Sequence, residues 1–341
     1  MKKIFAILAL TVSTAVLAQS TVTVSGQVQY GVARSAAGVT TVGAAKGDRN
    51  YLNFSAAEDL SGGTKVGIFL QNRFSPETGA QGSYANSSTG DANTQLWEQS
   101  NIFVDSKFGN VKLGRFSTQL VSTNGAGHYM QDWSKGTHSG LNYGRNSAQV
   151  QYTSPKIAGA EVFLLNAKGR HNKYVVVPGN GFATTTTATL MNDVNVIGVN
   201  YSAGGLKAQV ANITGLNAEK LQTINTAYNF GFAEVAVNQM NQKDNLTSMA
   251  AHKSTEYGIK VPVNAKLDVS LSKLSNNVNI GANGAANTKK GVTGVRAVYS
   301  FSKRTKLEAF LSDTKQAVTA AGAADTANTG TASYIGLSHS F

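Results

Sequence analysis

From residue 21 onward the chain alternates larger apolar and smaller polar side chains in segments of about ten residues, the length that tilted membrane strands need. Thr21 to Val32 sets Val22, Val24, Val28, Tyr30 and Val32 on one face and Thr21, Thr23, Ser25, Gln27 and Gln29 on the other, because successive strand side chains point to opposite sides. The same phase separates Leu52, Phe54 and Ala56 from Asn53, Ser55 and Asp59. It also separates Val66, Ile68 and Leu70 from Lys65, Gln71 and Arg73, and Val295, Ala297, Tyr299 and Phe301 from Gly294, Arg296 and Ser300. At the far end Ile335, Leu337, His339 and Phe341 share one face and Tyr334, Gly336, Ser338 and Ser340 the other. Chain ends ordinarily fray, so a strand amphipathic to its last residue is expected to be paired.

The connections alternate between short and long. Tight turns are expected near 61–63, 107–109, 155–159, 203–205, 229–231, 262–264 and 302–304. Longer polar stretches are expected at 35–48, 75–94, 117–145, 169–191, 214–218, 242–251, 276–289 and 314–330. Seven turns and eight loops separate sixteen strands. The pattern therefore predicts an all-β fold: a transmembrane, antiparallel, up-and-down β-barrel with short periplasmic turns and long external loops. Closure would pair the last strand with the first and leave no backbone polar group facing lipid.

Composition supports this class. The chain has no cysteine, 35 glycines and only 4 prolines in 341 residues, which excludes a disulfide-stapled secreted domain. The mean hydropathy of −0.15 does not exclude a barrel, whose alternation hides its apolar face from an average. Lys2 and Lys3, the apolar run Ile4 to Val16 and the small residues of Val16-Leu17-Ala18 read as a secretory signal peptide, residues 1–18, cut after Ala18. Residues 19–341 then form one barrel domain, and loss of the two lysines lowers the formal net charge from +12 to +10.

Several motifs resemble the general porins of Gram-negative bacteria, of the β-proteobacterial trimeric type. They are Ser20-Thr21-Val22-Thr23-Val24-Ser25-Gly26, Glu58-Asp59-Leu60-Ser61-Gly62-Gly63, Phe108-Gly109-Asn110-Val111-Lys112-Leu113-Gly114-Arg115, Tyr152-Thr153-Ser154-Pro155, Ser302-Lys303-Arg304-Thr305 and Gly336-Leu337-Ser338-His339-Ser340-Phe341. The resemblance implies an outer-membrane location, a homotrimer, a third loop folded into the lumen as a constriction, and a terminal aromatic, Phe341, read by the barrel-assembly machinery. Ser338, and Glu98 with Gln99, stand where the family often carries arginine.

Phase also assigns the pore. Arg49 continues the face of Tyr51, Asn53 and Ser55, Arg73 lies with Gln71, Arg145 with Gln149 and Gln151, and Arg296 with Ser300. All are expected to face water. Lys65 sits beside a short turn and is expected at the periplasmic mouth. Strict alternation from Val111 and Leu113 turns Arg115 outward, and only the entry into the next loop can redirect it to the pore. The 117–145 segment is the candidate constriction, with Asp132 as its one carboxylate beside Lys135, His128 and His138. A net-positive narrow zone would favour anions.

Enzymatic and metal-site signatures are missing. His128, His138, His171, His252 and His339 form no closely spaced metal motif, and no phosphate-binding or nucleophile-elbow motif is present. No cofactor is expected. Basic residues are scattered rather than massed, which argues against a nucleic-acid partner. The favoured reading is a water-filled channel for passive diffusion of ions and small hydrophilic solutes, expected to be anion-selective because its basic wall residues outnumber acids. The alternatives are a substrate-specific channel for a small anionic solute and, behind it, a barrel enzyme or adhesin.

Overall fold

The computed structural model describes residues 21–43, 50–60, 62–79, 97–117, 145–168, 193–215, 220–243, 252–279, 287–318 and 329–341. The signal segment, Arg49 and most of the 117–145 loop, with Asp132 and Lys135, lie outside these residues. The strands are β1 (Thr21–Arg34), β2 (Thr40–Gly43), β3 (Tyr51–Asp59), β4 (Lys65–Arg73), β5 (Gln99–Ser106), β6 (Gly109–Ser117), β7 (Arg145–Thr153), β8 (Ala160–Ala167) and β9 (Val194–Ala203). They continue as β10 (Leu206–Thr214), β11 (Lys220–Asn229), β12 (Glu234–Lys243), β13 (His252–Pro262), β14 (Leu267–Asn279), β15 (Asn287–Ser300), β16 (Thr305–Val318) and β17 (Gly330–Ser340).

Each strand pairs antiparallel with its neighbours, and β17 pairs with β1 to close the sheet. The seventeen segments fill sixteen stave positions, because β2 and β3 both lie along β1. Gln27 faces Tyr51 and Gly31 faces Gly43, so between these two pairs the chain has three residues on β1 and seven between Gly43 and Tyr51. The surplus is an even number of residues, and the in-and-out phase survives it. Within this gap the Gln29 N–H, deprived of a ladder carbonyl, donates to Asn50 Oδ1. A buried amide hydrogen needs such a partner.

The expected turns all form, and several loops are shorter than the sequence pattern suggests. β14 continues to Asn279, β15 begins at Asn287 and β16 reaches Val318. These extensions carry no sustained apolar alternation, so period-2 hydrophobicity cannot report them; their order comes from backbone pairing.

The closing seam accounts for the chain's last residue. The Phe341 N–H donates to Gly26 O (3.1 Å), and the Gly26 N–H donates to Phe341 O (3.0 Å). A Cβ at position 26 would lie 2.6 Å from the Phe341 ring, so glycine is what lets the ring lie across the first strand. His339 is exposed on the same outer face, where its Nδ1 hydrogen-bonds Thr305 Oγ1 (2.9 Å).

Burial is inverted relative to a water-soluble domain. Val22, Ile68, Ile102, Leu164, Ile197, Val199, Leu271, Leu311 and Ile335 are exposed on the outside, while Gln29, Gln71, Asn101, Gln149, Gln151, Gln209, Asn225 and Asn238 are buried inside. This is the distribution that lipid outside and a polar interior require. Tyr152, Tyr201, Tyr228 and Phe341 stand exposed near the periplasmic end, joined by the turn residues Phe108, Phe230, Phe232 and Phe301. The Tyr152 hydroxyl donates to Phe108 O (2.8 Å), as an interfacial aromatic with an apolar body and a polar tip should.

Candidate functional site: the barrel lumen

The inner wall is organised by side-chain amides in register across neighbouring strands. Ser25, Asn53, Gln71 and Gln99 occupy one row of β1, β3, β4 and β5. Asn53 Nδ2 donates to Ser25 Oγ (3.4 Å), Gln71 Nε2 to Asn53 Oδ1 (2.9 Å), and Gln99 Nε2 to Gln71 Oε1 (2.8 Å). The Ser117 N–H then donates to Gln99 Oε1 (3.0 Å) and ends the row on β6. A second row runs from Asn225 Nδ2 to Gln209 Oε1 (3.0 Å), Gln209 Nε2 to Asn200 Oδ1 (2.8 Å), and Asn200 Nδ2 to Glu161 Oε1 (2.9 Å). The amides inside each row both donate and accept, so the ladder brakes side-chain motion and keeps a wall that water can wet.

Charges gather toward the periplasmic half, and there they alternate in sign around the wall. Asp59, Lys65 and Asp105 face one another across β3, β4 and β5. Lys112 follows on β6, Glu161 on β8, Lys207 on β10, Glu234 on β12, Lys260 on β13, Asp268 on β14 and Lys306 on β16, each in the inward phase of its strand. Glu234 binds two of its neighbours, Lys207 Nζ at 3.3 Å and Lys260 Nζ at 3.7 Å. Fields from adjacent charges of opposite sign cancel toward the axis. The ring therefore hydrates the mouth while giving little preference for either sign of ion.

The predicted site residues divide along this line. Lys65 is exposed beside its turn, between Asp59 and Asp105. Arg73 faces inward but is only 4% exposed and is ion-paired through Nε with Glu98, itself nearly buried. Arg296 faces inward and forks onto Glu308, Nε to Oε1 at 2.6 Å and Nη2 to Oε2 at 2.9 Å, the strongest geometry for such a pair. Arg115 sits opposite Ser100 in the phase of Leu113, and its Nε donates to Glu98 O (3.0 Å). Arg145 opens β7 opposite Ser117. The wall thus carries carboxylates that the basic residues alone do not announce: Glu98, Glu161, Glu234, Glu256 and Glu308. Phase was the available signal, since Glu234 alternates with Ala236 and Asn238 just as the basic residues alternate with their own neighbours.

On β6 and β8–β12 the external half of the inner wall is apolar. Phe116, Phe163, Leu165, Val194, Val196, Ile213, Leu221 and Met240 form one buried cluster there. On the same stretch the outer face turns polar: Asn166 Nδ2 donates to Asn195 Oδ1 (2.7 Å), and Gln222 Nε2 to Asn212 Oδ1 (3.3 Å). The outward apolar run has ended by this height, with Leu164 giving way to Asn166, Ile197 to Asn195 and Val210 to Asn212.

A closed sixteen-stave barrel, lipid-compatible outside and lined with amides and charges inside, defines an outer-membrane channel protein. The chain belongs to the family of Gram-negative porins, which it matches over residues 5–319. That membership makes it a transport protein of the outer membrane rather than an enzyme. It is 26% identical over 300 residues to outer membrane porin protein 32 of Delftia acidovorans, covering 79% of this chain and 78% of that one. Among solved structures it resembles an anion-selective porin from Comamonas acidovorans, with a TM-score of 0.68 at 21% identity over 95% of this chain and 100% of that one. It also resembles OmpT of Vibrio cholerae, with a TM-score of 0.68 at 12% identity over 94% and 98% of the two chains.

Proposed function

We propose that this porin passes small hydrophilic solutes by diffusion and favours anions, and that the bias arises in the external half of the lumen. The observation that carries this reading is the contrast between a wall whose charges are compensated and a chain with a formal net charge of +12. Arg73 and Arg296 are held by Glu98 and Glu308, so the bias is assigned to Arg49, Lys135 and Arg145 against Asp132. A basic zone in a narrow water-filled passage concentrates anions. The relative described as anion-selective supports the same sign.

The 117–145 segment is proposed as the constriction, and the apolar inner patch around Phe116, Phe163 and Leu165 supplies a surface against which a lumenal segment would pack. The assembly is proposed to be a homotrimer, delivered after cleavage at Ala18 and recognised at Phe341 by the barrel-assembly machinery. Recordings across a planar bilayer in a salt gradient test the reading. An anion-selective reversal potential and a conductance that rises linearly with salt are expected; cation selectivity would overturn the sign. Block by a low concentration of one small anionic solute would instead favour a substrate-specific channel.

A further inference from the structure

Two phenylalanines interrupt the polar lining of the lumen. Phe69 on β4 falls in the inward phase between Gly67 and Gln71, and Phe103 on β5 falls between Asn101 and Asp105. Both are only half-buried, in a wall otherwise made of amides and charges. Lipid imposes no apolar residue on this face, and a polar side chain would suit it better. The Phe103 ring leans on the neighbouring strand, where a Cβ at Gly67 would lie 2.4 Å from its Cζ. Seated there, the ring covers the bare backbone of β4 and keeps apolar surface toward the channel.

A cation stands directly across from that ring. Lys112 on β6 is the register partner of Phe103 and shares the inward phase with the buried Gln151 on β7. Its Nζ lies over the Phe116 ring, 5.4 Å from the centroid, an attraction that draws the ammonium toward the loops. Gly114, between the two on β6, leaves that approach open. Asp105, one row nearer the turn, accepts from Asn110 Nδ2 (2.5 Å). Among the described residues Lys112 makes no ion pair, whereas Lys207 and Lys260 share Glu234, and Arg73 and Arg296 have Glu98 and Glu308.

We propose that Phe69, Phe103 and Lys112 form a subsite for aromatic carboxylates just inside the periplasmic mouth. Directly opposed residues on antiparallel strands are about 5 Å apart at their backbones. A carboxylate held by the Lys112 ammonium therefore places an attached ring on Phe103, with its far edge toward Phe69. A small aliphatic acid meets only the cation, and an uncharged ring meets only the phenylalanines. The proposal rests on the reading of the channel as one that passes anions, and names the class it holds longest. With one cation and one open ring face, the hold is weak enough to leave diffusion of other solutes intact.

The test is block of the chloride current through the full-length channel in a planar bilayer, with benzoate as the probe and acetate and benzyl alcohol as comparisons. Benzoate is expected to block at millimolar concentrations that leave the current unaltered with either comparison. Lys112→Gln should raise the half-blocking concentration about tenfold. Phe103→Leu, apolar but without a ring face, should raise it about fivefold, and Lys112→Arg should keep the block. Insertion of open channels shows that each variant folds. Equal block by acetate, or a half-blocking concentration unchanged in both Lys112→Gln and Phe103→Leu, would overturn the subsite. The reversal potential of the same channels separates the two readings: anion preference without benzoate block overturns the subsite alone, and cation preference overturns the sign of selectivity.

Discussion

The periplasmic and external halves of the barrel use one alternation to opposite effect. Near the turns, strands β8–β12 point Glu161, Lys207 and Glu234 into the lumen and Val162, Tyr201 and Val235 toward lipid. Higher on the same strands, Phe163, Leu165, Val196 and Met240 point inward while Asn166, Asn195 and Gln222 point out. The backbone phase does not change between the halves; the polarity assigned to each face does. An in-and-out assignment made from hydrophobicity alone is therefore valid only within the height of the lipid belt. Above it, water lies outside the wall and an apolar core can form within.

The largest expected effect concerns charge compensation. Arg73→Ala would leave Glu98 nearly buried without its principal cation, and loss of one partner from such a pair costs about 3–5 kcal/mol. Urea unfolding in lipid vesicles should show this loss, and the double variant Arg73→Ala, Glu98→Ala should recover most of it. If the single variant unfolds like wild type, the pair does not anchor the wall.

A smaller effect tests where the belt ends. Val199→Arg places a cation against acyl chains within the belt and should destabilise by about 2–4 kcal/mol, whereas Asn195→Arg, on the same face nearer the loops, should cost about 0–1 kcal/mol. Equal costs would remove the proposed boundary between the halves.

The seam gives the smallest of the stability effects. Gly26→Val puts a branched side chain where the Phe341 ring lies 2.6 Å from the added Cβ. Overpacking of this kind costs about 1–3 kcal/mol, and cysteine-accessibility labelling near residue 340 should report a loosened closing strand.

These contrasts also show what could be read from the residues alone. The staves, their turns and the pairing of Phe341 with the first strand follow from alternation, because lipid imposes a strict rule on the outer face and a one-residue slip would violate it. The split of the second stave into β2 and β3 was not legible: four residues of Thr40–Gly43 make too short a pattern, and the pairing depends on β1 already being in place. Arg73 and Arg296 lie in the inward phase of their strands, but a basic residue in that phase does not reveal its partner. Glu308 lies on the adjacent strand two residues from Phe310, which stands opposite Arg296, so the pair becomes visible only once β15 and β16 are aligned. The apolar inner patch was hidden for a different reason. In Val162-Phe163-Leu164-Leu165 both faces are apolar, and only three-dimensional placement separates lipid contact from lumenal burial.

The most direct test of the account is a comparison of reversal potentials in the same salt gradient. Neutralising the compensated pair (Arg296→Gln with Glu308→Gln) should leave the anion preference unchanged, while reversing the external basic set (Arg49→Glu with Arg145→Glu) should abolish or invert it. If instead the first variant loses selectivity and the second keeps it, the charge that selects ions resides in the periplasmic wall, and the division between the two halves of the lumen is wrong.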